Sequence, residues 1–432
     1  MVKVLVIGMG KSGQAAYNLL KHQGHDPIGV DSNSSLLQKL KEEGLDVSVF
    51  PKVEEFDLII LSPGIPQTNE WLMKAQKLGK EIIGETELGF RELKGQRVIG
   101  ITGTNGKTTV TLLVEHILKE SGKKAIAIGN IGTPFTEYCL RRDPEEIVVA
   151  ELSSYQLETL TSQVLSVGLV LNITPDHLDR YPSMQEYAHA KSLIQNCMLP
   201  QSALYINAEI LQEFGSLFKG KYHTFGTLSS SFLWTDRCVV KELERVEFLW
   251  PEVYNQMGVH ESENALAAWA VCKEFGVDKK AFLKALVTFK KPAHRIEFVK
   301  EIGGVFYFDD SKGTNIDATI KAVAAMQGSV ILIAGGVDKG ASYKIWKETF
   351  SGKVRIIFAI GEAAGKIRQE LLSDMPVYIV SSLEEAVTKA KEYAKVGESV
   401  LLSPGCSSFD MFRDYVHRGE EFKRFVHKEE RI

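Results

Sequence analysis

Short apolar runs alternate with amphipathic stretches along the first part of the chain. The pattern predicts strands at Lys3–Ile7, Ile28–Asp31 and Leu58–Ser62, with a helix at Ser12–His22 after the first strand. Strands that alternate with helices are typical of a parallel sheet whose faces are covered by helices. We therefore expect an α/β domain over residues 1–93.

The same alternation continues through the middle of the chain. It predicts a hairpin within Phe232–Trp250 and a helix at Ser262–Phe275. The predicted parallel strands are Val98–Thr102, Ala125–Ile128, Ile147–Glu151, Leu169–Ile173 and Leu204–Asn207. A proline interrupts the pattern at Lys290–Arg295, which is typical of a linker. We expect a second α/β domain over residues 94–293.

The last third of the chain begins with a predicted hairpin, Glu297–Asp310, which turns at Gly303 and Gly304. Strands separated by helical patterns then follow at Val330–Ala334, Val354–Ile360, Val377–Val380 and Val400–Ser403. These βα units predict a second doubly wound sheet over residues 294–432. The expected fold class is thus α/β, with three domains in series.

The composition narrows the possible functions. The chain has 432 residues, of which 44% are apolar, and this is enough for several domains with their own cores. A formal net charge of −4 argues against a general nucleic-acid binder. No apolar run approaches the roughly 18 residues of a membrane helix, and the N-terminus shows no export signal. We expect a cytoplasmic monomer with no nucleic-acid or membrane partner.

The cysteines give no sign of a disulfide framework or a zinc site. They are odd in number and scattered, without C-x-x-C pairing, at Cys139, Cys197, Cys238, Cys272 and Cys406. This usage is typical of a reducing compartment.

The sequence GITGTNGKTT, residues 100–109, is the most informative stretch of the chain. It lies where a predicted buried strand gives way to a helix, so Gly103 and Gly106 can turn the backbone N–H groups towards phosphate oxygens. Lys107 adds a full positive charge, and Thr108 can offer its hydroxyl to Mg²⁺. Ile101 stands where the strict G-x-x-x-x-G-K-[ST] pattern has its first glycine. We expect a nucleoside triphosphate site with unusual spacing.

A second glycine turn opens the N-terminal domain. Gly8, Gly10 and Gly13 follow the first strand, and Asp31 ends the next one, which is the spacing of the dinucleotide fingerprint. The fingerprint favours a Rossmann-like domain that binds a nucleotide with a pyrophosphate, and it leaves the identity of that nucleotide open.

Several polar residues follow predicted strands of the middle domain. Glu151 ends a buried strand beside the phosphate loop, where it could bind Mg²⁺ or cap the next helix. Asp176, His177 and Asp179 follow another strand, and His177 could be a metal ligand, a phosphate donor or an ordinary loop histidine. Lys191 lies in a helical pattern, and its spacing alone predicts a surface lysine.

Three glycine-containing turns follow strands of the C-terminal domain. They are DDSKGTN at Asp309–Asn315, AGGVDKG at Ala334–Gly340 and LSPGCSSFDMF at Leu402–Phe412. Each could be only a structural βα turn. Because all three lie in one domain and two contain a lysine, they favour a small anionic ligand.

These motifs together resemble one enzyme family. GTNGKTT, AELSSYQLE, NITPDHLDRY, AHAKSL, ENALAA, PAHRIE, DDSKGTN and LSPGCSSFDMF occur in the order found in the Mur ligases. They are most similar to the branch of the family that adds D-glutamate. The resemblance implies a Rossmann-like N-terminal domain for the UDP substrate, a central P-loop ATPase-like domain and a C-terminal Rossmann-like domain for the amino acid. It also implies ATP-dependent addition of D-glutamate to UDP-N-acetylmuramoyl-L-alanine through an acyl phosphate, with two Mg²⁺ ions.

The resemblance implies roles for individual residues. The catalytic set is Lys107, Lys191, His177 and Glu151. Metal binding is expected at Thr108, Glu151, His177 and Lys191, the lysine as a carbamate. ATP is expected at Gly103, Thr104, Asn105, Gly106, Lys107, Thr108, Thr109, Asn264, His294, Arg295 and Asp310. The UDP substrate is expected at Gly8, Gly10, Lys11, Ser12, Asp31, Ser62, Pro63, Gly64 and Asn130. D-Glutamate is expected at Lys312, Thr314, Lys339, Ser408 and Tyr415.

Three positions differ from the usual family pattern, namely Asn33, Glu261 and Tyr415. Three other functions fit parts of the sequence. A nicotinamide-dependent dehydrogenase would use the N-terminal fingerprint but leaves GTNGKTT unexplained. A folylpolyglutamate-type ligase would share the ATP chemistry but has no need of the N-terminal nucleotide domain. A nucleotide-binding switch would show no dependence on an amino acid.

Overall fold

A computed structural model describes residues 2–229, 231–235, 239–243, 245–251 and 259–428 of the chain. Cys238 lies outside these residues. The chain divides into two compact units. The first comprises residues 1–172 and 188–289, and the second comprises residues 173–187 and 290–432. Residues 173–187 therefore belong with the C-terminal part of the chain. They include all of the NITPDHLDRY motif except its first residue, Asn172.

The N-terminal part forms a parallel four-stranded sheet. Its strands are β1 (Lys3–Ile7), β2 (Asp26–Val30), β3 (Leu58–Leu61) and β4 (Glu81–Gly84), in the order β2-β1-β3-β4. The helices are α1 (Lys11–His22), α2 (Ser34–Glu42), α3 (Glu70–Lys77) and α4 (Glu85–Glu92). Both faces of the sheet are buried, which is why its strands are almost continuously apolar.

A nine-stranded sheet follows in the same unit, in the order β13-β12-β11-β10-β9-β8-β5-β7-β6. Its strands are β5 (Val98–Thr102), β6 (Ala125–Gly129), β7 (Ile147–Glu151), β8 (Leu165–Val170), β9 (Met198–Asn207), β10 (His223–Gly226), β11 (Leu233–Thr235), β12 (Val239–Glu242) and β13 (Arg245–Leu249). Strands β5 to β11 pair in parallel, and β11, β12 and β13 pair antiparallel.

Seven helices lie along the described residues of this part of the chain, and one of them, α8, begins in the second unit. They are α5 (Lys107–Glu120), α6 (Phe135–Cys139), α7 (Ser154–Leu157), α8 (Met184–Ser192), α9 (Ala208–Phe214), α10 (Val259–Cys272) and α11 (Lys279–Thr288). Single 3₁₀ turns lie at Val53–Glu55, Leu193–Cys197, Gly215–Leu217 and Lys273–Phe275. The main core of this part lies between the sheet and α5, α10 and α11.

The C-terminal part forms a six-stranded sheet in the order β14-β15-β19-β16-β17-β18. Its strands are β14 (Glu297–Ile302), β15 (Val305–Asp309), β16 (Val330–Gly335), β17 (Val354–Ile360), β18 (Val377–Ile379) and β19 (Ser399–Leu402). Only β14 pairs antiparallel. The helices are α12 (Ile316–Ala325), α13 (Ile345–Phe350), α14 (Ala364–Leu371), α15 (Leu383–Tyr393) and α16 (Tyr415–His427), and a core lies on each face of the sheet.

The predicted elements agree with the structure in type and differ in some bounds. The predicted hairpins form as β12–β13 and β14–β15. The strand predicted at Leu169–Ile173 ends earlier, at Val170. Strands β4 and β10 were not predicted, because each is a run of only four residues beside glycines.

Two buried glutamates of α4 connect the first two sheets. Glu85 Oε1 accepts hydrogen bonds from the Thr136 backbone N–H at 2.8 Å and its hydroxyl at 2.7 Å. Glu87 accepts five, from the backbone N–H groups and hydroxyls of Thr161 and Ser162 and from Arg91 Nε. Burial raises the pKa of Glu85. Burial opposes ionisation of Glu87 as well, but its hydrogen-bond donors hold the pKa of that carboxyl below its usual value.

None of the helices in the described ranges is long and apolar enough to cross a membrane. Four cysteines fall within those ranges, and all four are free thiols.

Candidate active site

The phosphate loop connects β5 to α5 in the first unit. Gly103 and Gly106 have φ angles of +151° and +83°, which side chains rarely adopt. Gly106 is the residue that precedes the first turn of α5. A Cβ atom there would lie 2.8 Å from Asn264 Oδ1, so Asn264 of α10 lies directly beside the loop. Thr104 is buried, and Thr108 and Thr109 are half-buried in the first helical turn.

Asn172 holds the loop from the end of the neighbouring strand. Its side-chain oxygen accepts from the Asn105 backbone N–H at 2.8 Å, and its side-chain N–H donates to the Asn105 carbonyl at 3.0 Å. Its own carbonyl accepts from the Thr104 N–H at 2.9 Å. Asn172 is not among the site residues predicted from the sequence, although it precedes His177, which is.

Two lysines donate to carbonyls of the same loop. Lys107 Nζ donates to Gly103 O at 2.8 Å and to Thr104 O at 2.7 Å. Lys191 Nζ, from α8, also donates to Gly103 O at 2.9 Å. Lys191 is only 1% exposed, so the prediction of a surface lysine from helical spacing is wrong. The prediction was wrong because the side of α8 that contains Lys191 faces the protein interior. The sequence of the helix is a mixture of polar and apolar residues that does not indicate which side is buried.

Glu151 lies beside the loop, at the end of β7, where it pairs with Ile101 of β5. It is 1% exposed. Oε1 accepts from the Asn130 side-chain N–H at 2.8 Å, whereas Oε2 is buried without a hydrogen-bond partner. A buried carboxylate oxygen without a partner is costly unless a cation binds it. Glu151 therefore fits a Mg²⁺ ligand, which is the role that the sequence suggested.

The N-terminal glycine turn is also formed as predicted. A Cβ at Gly13 would lie 1.8 Å from Gly8 O, so the close approach of α1 to the turn requires glycine. The Ser62 hydroxyl donates to Gly8 O at 2.7 Å, which joins the Ser62-Pro63-Gly64 turn to the first one.

Asp31 braces this turn from the end of β2. It accepts from the backbone N–H groups of Met9 at 2.7 Å and Asn33 at 2.9 Å. Lys11 Nζ donates to Gly132 O at 2.6 Å, two residues from Asn130, and Gly10 and Ser12 lie at the same turn.

In the second unit, Asp176 connects two sequence motifs. This carboxylate is buried, and it accepts from Lys339 Nζ at 2.8 Å and from the Asn315 side chain at 3.1 Å. Burial favours its protonated form, but Lys339 and its other donors hold the pKa of Asp176 below its usual value. The next residue, His177, is half-buried with φ +55°, and its Nε2 lies 3.7 Å from Asp176 Oδ2.

The linker residues His294 and Arg295 lead into β14. His294 is buried, and its Nδ1 lies 2.6 Å from Asp309 Oδ2. Asp310 accepts from the Ser403 hydroxyl at 2.7 Å. Burial raises the pKa of Asp310 to about 7, although the Ser403 hydrogen bond and the charge of Arg295 oppose the shift.

Four of the residues predicted to bind D-glutamate occupy the three glycine-containing turns of the C-terminal domain, and the fifth, Tyr415, is the first residue of α16. Lys312 Nζ lies 3.9 Å from the centre of the Tyr415 ring, a cation–π contact. Ser408 is buried, and its carbonyl accepts from the N–H groups of two following residues. Thr314 is half-buried in the same turn as Lys312. The candidate residues thus form two groups, one in each unit.

Three family models match the chain along its length. The Mur ligase MurD-like N-terminal domain matches residues 2–84, the Mur ligase middle domain matches residues 101–272, and the Mur ligase glutamate ligase domain matches residues 294–406. A UDP-N-acetylmuramoylalanine–D-glutamate ligase of Protochlamydia amoebophila is 48% identical, over 98% of this chain and 97% of that protein. The chain belongs to the Mur ligase family and is of the MurD type.

Further comparisons agree with this assignment. A UDP-N-acetylmuramoylalanine–D-glutamate ligase of Caldanaerobacter subterraneus is 38% identical, over 98% of each chain. The crystal structure of the UDP-N-acetylmuramate–alanine ligase MurC from Thermotoga maritima superposes with a TM-score of 0.60 at 19% identity, over 98% of this chain and 99% of that one. The predicted family and the predicted α/β fold of three domains in series are confirmed. The roles of the individual Mur ligase residues stay predictions.

Proposed function

We propose that this Mur ligase adds D-glutamate to UDP-N-acetylmuramoyl-L-alanine with cleavage of ATP, and so makes a peptidoglycan precursor. The relatives with this name match nearly the whole chain. The main structural support is the phosphate loop with Lys107, together with Glu151, which pairs with the strand that leads into the loop and has a buried carboxylate oxygen without a hydrogen-bond partner. The proposal assigns the UDP substrate to residues 1–93, ATP to residues 94–293 and D-glutamate to residues 294–432.

The proposed chemistry has two steps. A carboxylate is a poor electrophile, so an oxygen of the alanine carboxylate first bonds to the γ-phosphorus of ATP while the bond to the leaving ADP breaks. The D-glutamate amine then attacks the carbonyl carbon of the acyl phosphate. The new C–N bond forms, the C–O bond to phosphate breaks, and inorganic phosphate leaves while the nitrogen loses a proton.

Two anions must approach each other in the first step, and the loop lowers the cost of this approach. Lys107 turns from the Gly103 and Thr104 carbonyls to the β- and γ-phosphates, and stabilises charge that develops on the transferred group. Glu151 and Thr108 would hold a Mg²⁺ ion, and Asn130 orients Glu151 through its hydrogen bond to Oε1. When bound, Mg²⁺ neutralises phosphate charge.

Lys191 is proposed to act as a carbamate. Its ammonium group loses one proton, the free amine adds CO₂, and a second proton leaves the nitrogen, so that a cation becomes an anion with two oxygen atoms that could bind a second Mg²⁺. The carbamate nitrogen keeps one hydrogen and can still donate to Gly103 O, as the amine does at 2.9 Å.

The test is phosphate release over a panel of UDP-muramoyl acceptors and amino acids. We expect release only when UDP-N-acetylmuramoyl-L-alanine, D-glutamate and ATP are all present. Lys107→Ala should abolish it. Lys119→Ala is the matched control, because Lys119 lies on the same helix, is 54% exposed and pairs with Glu115 at the surface. Full turnover with L-alanine, or without the UDP acceptor, would refute the proposed function, and so would NADH binding without ligase turnover.

A further inference from the structure

Phe50 is the most exposed of the large apolar side chains in the described part of the chain. Its exposed fraction is 87%, and that of its neighbour Val49 is 51%. A phenylalanine ring in water forgoes the free energy that burial would provide. Single apolar residues are nonetheless common at protein surfaces, so the exposure of Phe50 acquires a meaning only from its position in the fold.

Phe50 follows a short stretch that extends the N-terminal sheet beyond β2. In this stretch Val47 pairs in parallel with Gly29 of β2. The Gly29 N–H donates to Asp46 O at 2.9 Å, and the Ser48 N–H donates to Gly29 O at 2.9 Å. Because the pairing is parallel, the chain here runs towards the carboxyl end of β2. It reaches Phe50 two residues after the last of these hydrogen bonds.

The carboxyl end of β2 is also the end that leads to the predicted nucleotide turn. Asp31 follows β2, two residues after Gly29, and it accepts from the Met9 N–H of the glycine turn at 2.7 Å. In Rossmann-like domains the pyrophosphate lies at the glycine turn, and the acid after the second strand lies beside the ribose.

The covalent order of a nucleotide then fixes where its base lies. The ribose connects the pyrophosphate to the base, so a line from the glycine turn through Asp31 continues past β2, on the side away from β1. The stretch that contains Val47 lies on this outer side of β2, since β1 pairs with the other side. Phe50 therefore emerges on the side of the sheet where the base of a bound nucleotide is expected.

We propose that Phe50 binds the uracil ring of the UDP substrate by stacking, and that Val49 extends this apolar surface. The inference rests on the proposed function and deepens it, because it names a residue that recognises the base. Stacking on an aromatic side chain needs only the flat face of a base and contributes substantially to nucleotide affinity. It would also remove the ring of Phe50 from water.

The experiment compares the full-length wild type with Phe50→Ala, Phe50→Trp and Met73→Ala. Met73→Ala is the matched control, because Met73 is an apolar residue of α3 in the same domain, is 41% exposed and belongs to no predicted site. Calorimetry gives the Kd for UDP and for ribose 5-diphosphate, which has the sugar and both phosphates but no base. Steady-state kinetics give kcat and the KM for the UDP acceptor, ATP and D-glutamate.

The wild type should bind UDP more tightly than ribose 5-diphosphate. Phe50→Ala should raise the Kd for UDP and the KM for the UDP acceptor about tenfold, as expected for the loss of one base–aromatic stack. The Kd for ribose 5-diphosphate, kcat and the KM for ATP and D-glutamate should stay the same. Phe50→Trp should bind UDP as the wild type does, and UDP should quench its additional tryptophan fluorescence. Met73→Ala should behave as the wild type.

An unchanged Kd for UDP in Phe50→Ala would overturn the inference, and so would an equal rise in the Kd for UDP and for ribose 5-diphosphate. If Phe50→Ala does not fold, Phe50→Trp decides, and the absence of additional quenching by UDP would then overturn it. A wild type that binds neither UDP nor the UDP acceptor would defeat the proposed function itself. Wild-type turnover of the UDP acceptor with unaltered affinities in the variants would defeat only the role of Phe50.

Discussion

Replacement of Asp310 by asparagine should stabilise the C-terminal unit at neutral pH. The carboxyl is buried, and burial raises its pKa from 3.8 to about 7. Asparagine has nearly the same shape and carries no charge. Its oxygen can accept from the Ile296 N–H, and its amide can donate to the Ser403 hydroxyl, so both existing contacts at 3.2 and 2.7 Å can persist.

The magnitude follows from the shift in pKa. Each unit corresponds to about 1.4 kcal/mol, so ionised Asp310 costs the folded state about 4 kcal/mol. Between pH 4 and pH 7, roughly, the folded state keeps a proton that the unfolded state has released. The stability of the wild type therefore falls as the pH rises through this window, and it levels off above the folded pKa. Asparagine does not titrate. The difference between the unfolding free energy of the variant and that of the wild type should therefore grow by about 2–3 kcal/mol from pH 5 to pH 8.

Hydrogen exchange of peptides from β15 and β16 measures the free energy of opening of this unit, once the intrinsic pH dependence of exchange is removed. Asp414→Asn is the control, because Asp414 is an exposed helix cap of the same unit that accepts from the His417 N–H, and asparagine caps equally well. The reasoning would be refuted if the opening free energies of Asp310→Asn and of the wild type changed with pH in parallel over this range. It would also be refuted if the variant were less stable than the wild type at pH 8.

Three further changes test the phosphate loop. Lys107→Ala should lower kcat by a factor on the order of 10²–10³ or more while the urea transition stays in place, because one preorganised charge is lost from a developing oxyanion; near-normal turnover would contradict this. Lys191→Ala should be nearly inactive and regain part of its activity with added short carboxylates, and an unmodified Lys191 in the electron density of a ligand-bound crystal together with normal turnover of the variant would argue against a carbamate. Asn172→Ala should raise the KM for ATP about tenfold, since it removes two hydrogen bonds that hold Asn105; an unchanged KM would show that the loop keeps its shape without them.

The phosphate loop could be predicted from the sequence because its chemistry is local. Strand, glycines, lysine and helix are consecutive, so Gly103, Gly106 and Lys107 imply the geometry without knowledge of the rest of the fold. The same holds for the N-terminal turn, where the close approach of Gly13 to Gly8 O is a property of one βα unit. The alternation of apolar runs predicted the three sheets for the same reason.

Lys191 and Asn172 could not be assigned in this way. Their contacts are with Gly103, 88 residues away, and Asn105, 67 residues away, and no periodic pattern encodes those separations. Family resemblance pointed to Lys191, whereas helical spacing alone predicted a surface position. The grouping of residues 173–187 with the C-terminal unit is likewise a result of tertiary packing, here through Asp176.

The geometry around Gly103 gives a physical reason for the proposed carbamate. Lys107 and Lys191 donate to the same carbonyl oxygen at 2.8 and 2.9 Å, so their nitrogens lie less than about 6 Å apart. At an effective dielectric constant of about 20, two like charges at that distance repel by roughly 3 kcal/mol. Addition of CO₂ to the buried Lys191 changes this repulsion into an attraction and leaves Lys107 as the cation that faces the phosphates. Conversion of Lys191 to a carbamate would thus remove this repulsion, and it would supply oxygen atoms of the kind that hard Mg²⁺ prefers.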